Sequence, residues 1–132
     1  MLTDSEATTV ELTDDERRLL RCGLGEWGGP ASPTEALAVA MGFPDLASMG
    51  PELRRLRSAL DERSPLGRAD WTRVLVATEI VFASDVLRSG TDWAYTTGFS
   101  DAESIALLRA VQVKIGATWR QLPPPLRPVV GP

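Results

Sequence analysis

Asp70-Trp71-Thr72-Arg73-Val74-Leu75-Val76-Ala77-Thr78-Glu79-Ile80-Val81-Phe82-Ala83-Ser84-Asp85-Val86-Leu87-Arg88-Ser89 is the stretch on which the fold turns. Wound as a helix, its apolar residues cover nearly the whole circumference, which suits a rod running through the centre of a domain. A strand competes at Arg73 to Val76 and at Ile80 to Phe82, where β-branched side chains concentrate. Length and the lack of turn residues before Gly90 favour the helix. The apolar core of the stretch, Val74 to Leu87, includes Glu79 and Asp85 and falls short of the roughly 20 residues that cross a bilayer.

Outward from this rod the start and stop signals are helical. Thr13-Asp14-Asp15-Glu16 forms a capping box, and Leu19, Leu20, Gly23, Leu24 and Trp27 then share a face until Gly28-Gly29-Pro30. Ser32-Pro33-Thr34-Glu35 repeats the start signal with proline read as the first helical residue, leading to a short helix through Leu37, Ala38 and Met41. Asp45 to Met49 reads as one further turn, and Gly50-Pro51 as the opening of a separate helix with Leu53, Leu56 and Leu60 inward. Arg63 to Gly67 reads as a turn. Ser100-Asp101-Ala102-Glu103 is another capping box, after which Ile105, Leu108, Val111, Ile115, Trp119 and Leu122 recur every three or four residues.

The expected fold class is therefore all-α: a single-domain orthogonal or irregular bundle of about five helices around the central apolar helix at 70–89. Residues 1–12 read as a flexible acidic arm, 13–122 as the helical domain and 123–132 as a flexible proline-rich tail.

Composition narrows the chemistry. The 132 residues include no histidine, which removes the commonest general base, the usual nucleophile pairs and most transition-metal sites. Asparagine is also absent and Lys114 is the sole lysine, a bias that fits GC-rich, bacterial coding sequence. The formal charge is −4, with 8 acidic against 3 basic residues in positions 1–35, so the acidic end favours a basic partner and opposes loose binding to nucleic acid. Cys22 cannot form an internal disulfide and no signal-like N-terminal run is present; a cytoplasmic protein with no membrane association is expected.

Candidate residues fall into four groups. Gly23-Leu24-Gly25-Glu26-Trp27-Gly28 matches a dinucleotide-binding pattern by letter, but the pattern needs a preceding strand, so it reads as a glycine-loosened helix end, and no cofactor is expected. Glu79 inside an apolar helix must find a partner, neutralise or turn to solvent, and a partner is expected: Arg109 or Lys114 could supply it, as a structural ion pair or as the polar floor of a small-molecule pocket. Asp85 lies about 240° around the helix from Glu79 and forms no acid/base pair with it. Asp92, Trp93 and Tyr95 read as an exposed aromatic anchor for a partner or as a lid on the core, with Trp93 fitting either reading equally, whereas Trp27, Trp71 and Trp119 read as packing. Arg54, Arg55 and Arg57 form a basic cluster suited to phosphate or carboxylate groups.

Leu37, Ala38, Gly42 and Phe43 stand where a helix-turn-helix carries its first-helix apolar residues and turn glycine, and Thr34 to Leu56 resembles that motif. The second half departs from it, being uncharged between Leu46 and Pro51 and interrupted by Gly50-Pro51. The resemblance implies a DNA-binding regulator using residues 34–57. The leading expectation is a non-catalytic protein-protein interaction module, of the antidote, immunity or regulatory kind, with no metal and no catalytic residues.

Overall fold

A computed structural model describes residues 2–28, 31–84, 93–95 and 97–120 of the chain. The described residues include the helices α1 (Asp14–Glu26), α2 (Glu35–Ala40), α3 (Leu46–Glu62), α4 (Arg68–Ala83) and α5 (Asp101–Trp119), with a further helical turn at Trp93–Tyr95. No strand occurs among the described residues, and the fold class is all-α. The tail 123–132 and residues Asp85 to Ser89 of the apolar stretch lie outside the described residues.

Local chemistry sets the helix starts. Thr13 Oγ1 accepts from the Glu16 amide at 3.1 Å while Glu16 Oε1 accepts from the Thr13 amide at 2.8 Å; Ser100 and Glu103 repeat the arrangement on α5. On α2 the cap is Thr34, which accepts from the Leu37 amide, so Pro33 precedes the cap instead of opening the helix.

Helix α4 ends at Ala83 with Ser84 extended, short of the end expected at Ser89, and two further stretches differ from the sequence reading. Pro51 sits inside α3, and the turn expected at 45–49 is continuous with the helix that follows. Asp45 accepts from the Ser48 amide at 2.7 Å and Glu35 from the Leu46 amide at 3.0 Å, so the first turn of α3 is held independently of the proline. Pro51 is exposed, and the Ala47 carbonyl whose ladder partner it removes is free to be hydrated. The other stretch is residues 2–12, which composition pointed to as a free arm. They lie along the bundle: Thr8 and Leu66 exchange both backbone hydrogen bonds at 2.9 Å, Trp71 Nε1 donates to the Thr8 carbonyl, Asp4 pairs with Arg68 and Val10 is buried. Average polarity hid the backbone pairing and the apolar residues Leu2, Val10 and Leu12 that pack on the core.

Helix α1 packs on α3, α4 and α5, and α4 packs on α5 in turn, so the apolar rod shares the centre with the amphipathic first helix. The α1–α4 contact is close because Gly23 faces Thr78, and Trp27 Nε1 donates across it to the Ala77 carbonyl at 3.1 Å. Arg73 on α4 donates to the Gly42 carbonyl at 2.7 Å and lies over the Phe43 ring, fixing the α2–α3 turn, where Gly42 takes φ +98°.

At the end of α3, Arg63 adopts the left-handed conformation, φ 56°, usually taken by glycine. Its ion pair with Asp14 is 3.5 Å long and solvent-exposed, so it contributes little. Arg63→Gly is expected to raise unfolding stability by about 1 kcal/mol, read by urea titration; an unchanged or lower midpoint would show that the side chain holds the turn.

Candidate functional site

The C-terminal turn of α1 and the N-terminal half of α3 leave a half-open cleft of about 140 Å³ between them. Leu24, Trp27, Leu46, Met49 and Leu53 form its apolar walls. Its sides are thinned by two glycines: a Cβ on Gly25 would stand 3.5 Å from Arg57 Cζ, and one on Gly50 would stand 3.7 Å from Arg54 Nη1. Both guanidinium groups therefore lie over bare backbone beside the cleft. Arg54 and Arg57 are three residues apart on α3 and so share a face.

Neither arginine forms an ion pair with any described residue. Arg57 Nε is buried and has no hydrogen-bond partner. A desolvated, unmatched guanidinium N–H costs about 1–3 kcal/mol, so the arrangement is electrostatically incomplete as it stands.

Arg55 does not belong to this pair. It donates to Glu52 and, through Nη1 and Nη2, to both carboxylate oxygens of Asp70. These bonds raise its pKa further above the ordinary guanidinium value. Burial works against the charge of Asp70, but Arg55 and then Arg73 outweigh it and hold the carboxyl below the usual range. The three-arginine cluster thus divides into one structural cation and two that face the cleft.

The other sequence candidates take different places. Glu79 is half-buried and accepts from Gln112 Nε2 at 2.6 Å, between α4 and α5; neither Arg109 nor Lys114 pairs with it. Lys114 instead donates to Glu16 Oε1 at 2.5 Å. Burial opposes ionisation of Glu16, yet the Lys114 bond and the Thr13 amide together bring its pKa below the ordinary carboxylate value. Arg109 is exposed and makes no ion pair with a described residue. Trp93 is not an exposed anchor: it is fully buried, donates from Nε1 to Ser104 Oγ at 2.7 Å and meets the Phe82 ring edge-on at 5.5 Å. Tyr95 is 94% exposed, and Asp92 lies outside the described residues. Trp27, Trp71 and Trp119 are all buried.

The glycine pattern at Gly23, Gly25 and Gly28 sits at the end of a helix, so the amides of its first two glycines are consumed in the ladder and form no phosphate loop. Sequence reading missed the cleft because its walls come from two helices, and because Asp61, four residues after Arg57, pairs with Arg21 on α1 instead. Burial pushes the Cys22 thiol up despite Arg18 and Arg21, which leaves it a poor nucleophile. No group of three or more metal-ligating side chains occurs, and no helix is long and apolar enough to cross a membrane, among the described residues. No protein-family model, curated protein or solved structure matches the chain, so its function must be read from the chemistry of this cleft.

Proposed function

We propose that the protein is a non-catalytic, cytoplasmic binding module and that the α1–α3 cleft is its recognition site for a partner protein. The observation that carries this reading is Arg57, whose Nε is buried and unpartnered beside an apolar opening that a second arginine, in no ion pair with a described residue, also borders. An isolated fold gains nothing from that placement, because a methionine would fill the same volume without stranding a donor. A histidine-free chain whose one thiol is pushed up supports binding over catalysis.

The acidic first third of the chain is less available to a basic partner than its composition suggests. Asp4 and Glu16 are engaged by Arg68 and Lys114, and Glu35 caps α3. A DNA-reading role gains from the continuity of α3 but is opposed at the end that would enter a groove, where the Asp45 and Glu35 carboxylates cover the first turn.

Arg57→Met tests the proposal without knowledge of the partner. Its unfolding stability is expected to rise by about 1 kcal/mol, moving the thermal midpoint up by about 3–6 °C. A lower midpoint would show that Arg57 serves the fold, and the recognition reading would fall.

A further inference from the structure

We infer that the α1–α3 cleft takes an acidic-apolar anchor from a partner polypeptide: one large apolar side chain in the cavity and a carboxylate, one or two residues away, received by Arg54 and Arg57. The inference rests on the reading of the cleft as a recognition site and adds the chemistry of what enters it.

Volume decides between a free small molecule and an anchor. Dedicated small-molecule sites enclose about 300–1,000 Å³, whereas a cavity of about 150 Å³ accommodates one benzene-sized group. At about 140 Å³ and half-open, this cleft takes a single phenyl, indole-edge or branched aliphatic group whose remainder stays outside. Such a group arrives on a chain, as interface anchors do. The walls Leu24, Trp27, Met49 and Leu53 are each at most 6% exposed, so they are fixed by the core and the cavity is preformed.

Charge decides what accompanies the apolar group. Two guanidinium groups at positions i and i+3 of α3, neither in an ion pair with a described residue, share one face and can donate to one acceptor. A carboxylate satisfies them and supplies the partner that Arg57 lacks. Free phosphate is less well matched, because the α1 side of the cleft is a helix C-terminus, the carbonyl end of the helix dipole. A nucleic-acid backbone would also meet Asp45 and Glu35 at the start of α3.

The test presents a random short-peptide phage library to the full-length protein, to Arg57→Met and to Leu46→Glu. Leu46 is 38% exposed at the first position of α3, where an acid is compatible with the helix but repels the proposed anchor. Peptides retained by the wild type are expected to pair Asp or Glu within two residues of Phe, Leu or Trp, and both variants are expected to lose them. For one such synthetic peptide, Arg57→Met and an Asp-to-Asn change in the peptide should each weaken binding about ten- to hundredfold, and combining them should cost little more than either alone. Amide signals of Gly25, Met49 and Gly50 and the Trp27 indole should shift on titration. Retained peptides lacking the acidic-apolar pair, or indifferent to Arg57, overturn the inference. Phenylacetate or inorganic phosphate binding the cleft more tightly than any peptide also overturns it, in favour of a free anion. If no peptide is retained while Arg57→Met melts higher, the anchor is wrong and the recognition site stands. If Arg57→Met melts lower as well, both fail.

Discussion

Gly23→Leu is expected to abolish cooperative folding. A Cβ at Gly23 would stand 2.4 Å from Thr78 Oγ1, 2.7 Å from its Cγ2 and 2.8 Å from its Cβ, closer than real side chains approach. Thr78 cannot turn aside cheaply. It is fully buried, and its hydroxyl donates to the Val74 carbonyl at 2.9 Å. The α1–α4 interface would have to part, carrying with it the Trp27 to Ala77 hydrogen bond. Gly23→Ala should lose about 1–2 kcal/mol, since overpacking outweighs the gain of about 1 kcal/mol in helix propensity. Leucine adds three further carbons to the same contact and should cost more than about 4 kcal/mol, most of the stability of a typical small domain. Urea unfolding followed by tryptophan fluorescence measures both. Thr78→Ala removes two of the three close atoms and should partly rescue Gly23→Ala; a Gly23→Ala variant as stable as wild type would show that the two helices separate freely.

Lys114→Met should cost about 2 kcal/mol at neutral pH. Removing one partner of a fully buried pair costs about 3–5 kcal/mol, but water screens the Lys114 end. The Lys114 side chain is 36% exposed against 4% for Glu16. The loss should depend on pH in a defined direction. Glu16 has a lowered pKa in the folded protein, so its contribution is present above the unfolded carboxylate value, about 4.3, and fades as pH falls through the folded one. In the variant burial acts without the lysine, the carboxyl titrates higher than in the wild type, and acid relieves the stranded charge. The stability gap between the two proteins should be widest near pH 7 and shrink below about pH 4. A constant gap would mean that Lys114 contributes through its methylenes alone.

These two contacts also show where a linear reading reaches and where it stops. The capping boxes at Thr13/Glu16 and Ser100/Glu103 are legible because donor and acceptor lie three residues apart. Glu79 visibly needed a partner, but helical periodicity fixes azimuth only within one helix. Which face of α5 turned to α4 and which to α1 decided that Gln112 met Glu79 and Lys114 met Glu16. Arg54, Arg55 and Arg57 stood out together by type. Their separation into one structural and two cleft-facing cations depends on Asp70, on a different helix. Pro51 misled because the rule against internal proline is local, whereas the Asp45 and Glu35 caps that stabilise the start of α3 include a residue from α2. Trp93 looked like an anchor for want of any indication that Ser104 and Phe82 would enclose it.

The pairing of Thr8 with Leu66 has a consequence for how the chain is assembled. The residues around Thr8 are stitched to a segment made much later in translation, so they must wait, unprotected, until α3 has been completed and Trp71 has been synthesised. Such a long-range closure is slow relative to helix formation and belongs to the final stage of folding. A nascent chain stalled before that point would carry its N-terminal strap undocked, as bait for degradation machinery that surveys unfinished products.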